Sequence, residues 1–153
     1  MQGTGREVQR RALAVLGTVL VADQATKLVV EARLPLGISI PIIPGVLAFT
    51  HVHNRGVAFS LLGGIPLLVP AAIALTLLFL LFYNTARWSR RPVMQAALAM
   101  LGGGAIGNLV DRVRVGAVVD FIDVHVWPVF NLADIAVTAG AGLLILLLIR
   151  GDR

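Results

Sequence analysis

Extended back to Phe130, the run AVTAGAGLLILLLI (Ala136 to Ile149) belongs to an apolar stretch whose only charge is Asp134. The segment IPLLVPAAIALTLLFLLFY from Ile65 to Tyr83 carries no charge at all. Each is about the 20 residues needed to cross a hydrocarbon core of about 30 Å. Inside such a core every backbone polar group must find a partner within the protein, which makes the α-helix the default spanning element. Two further stretches, Ala12 to Val30 and Val93 to Val110, have comparable length and fewer charges than their flanks.

Composition agrees with a membrane solvent. Of 153 residues, 58% are hydrophobic and 14% charged, and the mean hydropathy is +0.89; a soluble domain carries roughly a quarter charged residues. The expectation is one all-α membrane domain over residues 1–153, with four transmembrane helices at about 12–30, 65–83, 93–110 and 130–149. The absence of cysteine excludes disulfides, thiol nucleophiles and cysteine metal sites. Arg6, Arg10 and Arg11 before the first span resemble the start of a secretory signal, but the apolar pattern continues past Asp23 to Val30 without a small-residue cleavage site, so the segment reads as retained.

The arginines set the expected orientation. Arg6, Arg10, Arg11, Arg87, Arg90, Arg91, Arg150 and Arg153 fall on one side of the four spans, which places both termini in the cytoplasm. The net charge of +5 is thus a topology signal and does not indicate nucleic-acid binding. Asp23, Glu31, Asp111, Asp120, Asp123 and Asp134 lie at or beyond the opposite ends. Two outer segments follow, 31–64 and 111–129. In the first, VLAFTHVHNRGVAFS reads as short strands with a turn at Asn54-Arg55-Gly56; in the second, VGAVVDFIDVHV is strand-like as well.

Each polar residue at membrane depth has a structural reading and a functional one. Asp23 and Lys27 stand at i and i+4, close enough to pair with Lys27 reaching toward the interface, or to position a substrate or loop. Gly103 and Gly107 give a GxxxG spacing and Ala136 and Gly140 a second small-residue face, so spans three and four are expected to approach closely and gather Asn108, Asp111 and Asn131 near Asp134. Asp111, followed by Arg112, reads as half of an ion pair bracing the loop. Asp120 in VVDFI has apolar neighbours and no adjacent base; Asp123 reads as solvated. Asn131 and Asp134 have the spacing of a helix N-cap with an acidic third residue. His51, His53 and His125 read as exposed or loop histidines, not metal ligands.

Two carboxylates converging in a low dielectric cannot both ionise comfortably, so they share a proton and offer one base and one acid at neutral pH. That pair suits the activation of water against an amide. HExxH and GxSxG motifs are absent.

Four blocks of the chain, DQATK (23–27), NRGVAFS (54–60), GGAIGNLVDR (103–112), and VVDFID with FNLADIAVTAG (118–140), together resemble the lipoprotein signal peptidases, or signal peptidase II. The resemblance spans nearly the whole chain. It implies an aspartyl endopeptidase of the bacterial inner membrane that removes signal peptides from prolipoproteins, cutting on the amino side of a diacylglyceryl-modified cysteine. By motif, Asp120 and Asp134 match the catalytic pair. Asn54, Asn108, Asp111, Arg112 and Asn131 match positions that support the site or contact substrate and inhibitors, and Asp23 and Lys27 a supporting block. The resemblance further implies a small outer β-structure, a short membrane-lying amphipathic segment, inhibition by the macrocyclic peptide globomycin, a monomer among membrane lipids, and neither metal nor organic cofactor. Val57 departs from the small residue common after the NxG glycine. Physical reasoning leaves two other classes open: a proton- or ion-coupled transporter, whose polar path should continue across the bilayer, and a structural subunit in which every acid is a cap or ion pair.

Overall fold

The computed structural model describes residues 3–55, 73, 75–77 and 92–150. Helix α1 (Gly3–Arg33) has 31 residues, about 46 Å at 1.5 Å per residue, so it overruns the expected span at both ends. Its first turns carry the exposed Glu7–Arg11 pair. It stops where Pro35 disfavours helical geometry at Leu34, whose N–H still reaches the Val30 carbonyl at 2.8 Å.

Gly37, at φ +81°, turns the chain into strand β1 (Ser39–Ile43). A turn with Gly45 at φ +74° leads back through β2 (Leu47–Asn54). Helix α2 (Pro92–Val115) begins with a proline where no intrahelical N–H is needed. It runs five residues past the expected Val110 and is closed by Gly116 at φ +74°, whose N–H bonds the Arg112 carbonyl at 3.2 Å. Asp111 and Arg112 therefore lie on the last turns of a helix and not in the connection. Strand β3 (Val118–Asp123) pairs antiparallel with β2 to give a sheet of order β1-β2-β3. Helix α3 (Leu132–Ile149) completes the chain, with Asn131 as its N-cap.

Three of the expected spans are thus helices long and apolar enough to cross a membrane. The expected second span lies outside the described residues except for Ile73 and Leu75 to Leu77, which are helical. The membrane-lying segment is not among the described elements, and residues 56–64 fall outside them.

Helix α2 packs between α1 and α3, with Ala12, Met94, Leu98 and Ala99 in the core. Spans three and four do approach closely, through the expected Gly140 on span four but through Gly104 on span three in place of the Gly103–Gly107 pair. A Cβ on Gly104 would lie 2.5 Å from the Ala133 carbonyl oxygen, and one on Gly140 would lie 2.8 Å from that of Ala97. The Gly103–Gly107 face turns to α1 instead: a Cβ on Gly103 would meet the Leu16 carbonyl at 2.9 Å, and one on Gly107 the Asp23 carboxylate at 2.5 Å. The GxxxG spacing thus lets α1 bring an acid against α2.

Candidate active site

Where the sheet meets the helix ends, a buried cation organises three elements. Lys27 and Asp23, one turn apart on α1, are both fully buried and pair at 2.8 Å. Lys27 also pairs with Asp111 of α2 at 2.7 Å and donates to Asn108 Oδ1 at 2.9 Å. Its three N–H donors thus have three acceptors. It is buried rather than extended toward the interface, because these acceptors lie inside the helix bundle. The partner of Asp111 is also not the one its neighbour suggested. Lys27 holds one oxygen, while Gln24 at 3.0 Å and Arg114 at 3.7 Å meet the other; Arg112 donates to the Asn108 carbonyl at 3.0 Å.

The acids then fasten the sheet and the third helix. The second oxygen of Asp23 accepts the Ala133 N–H at 3.0 Å, filling an orphan donor in the first turn of α3 and placing negative charge at its positive end. Asp111 Oδ2 accepts the Val119 N–H at 3.1 Å. Asn131 Nδ2 lies 3.3 Å from the Val119 carbonyl. At Val119 the free edge of β3 is thereby satisfied by side chains, and at Phe121 and Ile122 by the backbone of Phe130.

Asn131 joins the two acids singled out by the sequence. Its side-chain oxygen accepts the Asp134 N–H at 3.0 Å, and its own N–H donates to Asp134 Oδ2 at 3.2 Å. This is the reciprocal capping box expected from the spacing. The same residue's Nδ2 donates to Asp120 Oδ1 at 2.6 Å and lies 3.1 Å from Asn108 Oδ1. Asn108 Nδ2 in turn donates to Asp134 Oδ1 at 2.9 Å. Asn54 reaches Asp120 from the neighbouring strand: Asn54 opposes Val118 and Val52 opposes Asp120, so the two are diagonal neighbours on one face, and the amide donates to Asp120 Oδ2 at 2.9 Å. Arg112 lies within electrostatic reach of Asp120, Asp134 and Asp111.

Asp120 is 1% exposed. Burial raises its pKa from 3.8 to about 6; the nearby Asp134 charge pushes the same way, while the amides of Asn54 and Asn131 oppose the shift. Asp134 opens on a cavity of about 480 Å³ lined by Val124, Trp127, Phe130, Ile135, Thr138 and Ala139. The environment is therefore asymmetric, with one acid enclosed and the other facing an apolar recess.

The remaining candidates fall outside this network. Asp123 is held below the usual carboxylate range by the His125 backbone N–H and the Thr50 hydroxyl. His51, expected to be exposed, is 5% exposed, because its Nδ1 reaches back 2.8 Å to the Leu34 carbonyl at the end of α1. Among the described residues no group of three or more His, Asp or Glu side chains is placed to hold a metal. Gln24 was not singled out by the sequence, yet its Nε2 meets Gly107 O, Asp111 and Asp23; its place inside DQATK was the available signal.

Apolar spanning helices that enclose a polar, acid-containing site beside a small sheet define an integral membrane protein. Residues 15–150 match the family model described as Signal peptidase (SPase) II. The chain is 42% identical over 147 residues to a lipoprotein signal peptidase of Geobacter metallireducens, covering 91% of this chain and 90% of that one. It is 45% identical over 136 residues to one of Halothermothrix orenii, covering 88% and 92%. A bacterial membrane enzyme solved by the in meso method at 1.9 Å has the same fold, with TM-score 0.83 and 33% identity over 93% of this chain and 94% of that chain. The chain belongs to the signal peptidase II family, and that membership makes it a multi-pass membrane protease.

Proposed function

We propose that this protein removes the signal peptide from diacylglyceryl-modified prolipoproteins, cutting on the amino side of the modified cysteine, with Asp120 and Asp134 as the catalytic pair. The observation that carries this reading is the double engagement of Asn131, whose side chain donates to Asp120 at 2.6 Å and whose backbone donates to Asp134 at 3.2 Å. One residue thus holds both carboxylates at a common place. Family membership supports the substrate class and displaces the transporter reading.

In the mechanism the ionised member of the pair takes a proton from water, whose oxygen attacks the scissile carbonyl carbon. The protonated member donates to the carbonyl oxygen as charge develops there. Collapse of the tetrahedral species breaks the C–N bond, and a carboxyl proton passes to the leaving amine. Asn54, Asn108 and Asn131 orient the acids, and Arg112 adds positive potential beside them. Lys27, Asp23 and Asp111 hold Asn108 and the end of α3 in place. The cavity beside Asp134 receives an apolar part of a substrate arriving sideways from the bilayer.

The same reading places the protein in a bacterial inner membrane as a monomer with four spans, both termini cytoplasmic and the acids near the outer face, and makes it sensitive to globomycin-type peptides. The test is a purified preparation given a diacylglyceryl-modified prolipoprotein peptide. Asp120→Asn and Asp134→Asn should each lose about a hundredfold or more in rate. Wild-type cleavage by either folded variant would remove the dyad assignment, and equal cutting of an unmodified peptide would remove the lipid requirement.

A further inference from the structure

A second recess lies against the sheet. It encloses about 400 Å³ between the outer turns of α1 and the sheet, with Val29, Val30 and Arg33 on the helix and Ile40, Phe49 and Phe121 on the strands. Phe121 follows Asp120 in β3, but the Asp120 carboxylate is taken by Asn54 and Asn131, and neither it nor those partners line this recess. Phe49 and Phe121 form its floor, their ring centroids 6.2 Å apart.

The chemistry of the walls selects the occupant. Thr26, which also lines the recess, has its hydroxyl committed to the Ala22 and Asp23 carbonyls of its own helix. The body of the recess therefore offers hydrocarbon contact without hydrogen-bond partners. Its rim is continuous with the apolar flank of α1, where Val21 is 67% and Val29 61% exposed, the flank a spanning helix turns to lipid. Among the described residues the one cationic group in the lining is Arg33. Among the described residues no carboxylate lies within ion-pair distance of Arg33, whereas neighbouring Arg114 is engaged by Glu31 at 2.7 Å.

We propose that this recess binds one anionic phospholipid of the surrounding leaflet, an acyl chain lying between α1 and the Phe49–Phe121 floor and the phosphate meeting Arg33. The bound chain braces β3 at Phe121, the residue after Asp120.

Full-length protein, stripped of lipid in detergent and titrated with palmitoyl-oleoyl phosphatidylglycerol or phosphatidylcholine, is read by native mass spectrometry. One phosphatidylglycerol is expected to be retained in preference to phosphatidylcholine. Arg33→Gln should weaken phosphatidylglycerol retention about fivefold, the worth of one basic residue near a membrane surface, and phosphatidylcholine retention by less, because the choline of that lipid already balances its phosphate. Val29→Trp, which fills the recess from an exposed position, should abolish retention of both. Equal retention of the two lipids by the wild type, or unchanged retention in both variants, overturns the proposal. Displacement of the bound phosphatidylglycerol by saturating lipopeptide would assign the recess to the substrate's own acyl chains and overturn it as well.

Discussion

Asp120→Asn isolates what burial does to the acid on β3. Its carboxyl stands at about 6 in the folded protein against 3.8 for an unburied aspartate. A shift of roughly two units at about 1.4 kcal/mol each corresponds to about 3 kcal/mol. Because the folded value is raised, the protonated acid contributes stability that is fully present below the unfolded pKa and is lost as pH rises through about 6. The amide variant cannot lose it. It does pay a pH-independent cost of about 1 kcal/mol, since one amide N–H now faces a donor from Asn54 or Asn131. The assay is isothermal unfolding of both proteins in the same detergent at pH values from about 4 to about 7.5, with the difference in unfolding free energy plotted against pH. The wild type should lose about 2–2.5 kcal/mol relative to the variant across that window, the remainder being lost below about pH 4, the other carboxylates largely cancelling in the subtraction. A difference constant to within about 0.5 kcal/mol would show that Asp120 is solvated and would remove the physical basis for a shared proton.

Lys27→Met should destabilise the protein by about 3–5 kcal/mol in the same assay, because Asp23 and Asp111 are left buried without their counter-charge. Gly104→Ala should cost about 1–3 kcal/mol, as its Cβ would press on the Ala133 carbonyl, whereas Gly142→Ala, which meets nothing within 4 Å, should be neutral or stabilising by up to about 1 kcal/mol; equal melting of the two would refute the close approach of α2 and α3. Asn131→Ala should lose about 0.5–2 kcal/mol of capping stability and, with it, nearly all peptide cleavage. A variant that loses the stability yet cleaves normally would restrict Asn131 to the cap.

The elements that could be read in the chain were those with a local cause. Long apolar runs gave helices α1, α2 and α3, and the Asn131–Asp134 spacing gave a capping box because both partners lie within one turn. Pairings made across the bundle were not legible. Arg112, adjacent to Asp111, looked like its partner, but the cations paired with it are Arg114, one turn on, and above all Lys27, 84 positions earlier, after α1 settles on Gly103 and Gly107. His51 gave no sign of burial because the Leu34 carbonyl that takes its ring is supplied by a helix end. The glycines were visible as a class, yet choosing Gly104 for α3 requires the rotation of α2 about its axis, which tertiary packing sets.

The Asp23–Lys27 pair also bears on the order in which the chain is made. Helix α1 leaves the ribosome before α2, when Asp111 does not yet exist to balance anything. Lysine and aspartate one turn apart on that helix neutralise each other within it, so α1 can enter the bilayer with this pair adding no net charge to its C-terminal half. When α2 arrives, Asp111 joins a cation already waiting at membrane depth. The ion pair that later clamps three elements together thus begins as a passport for one of them.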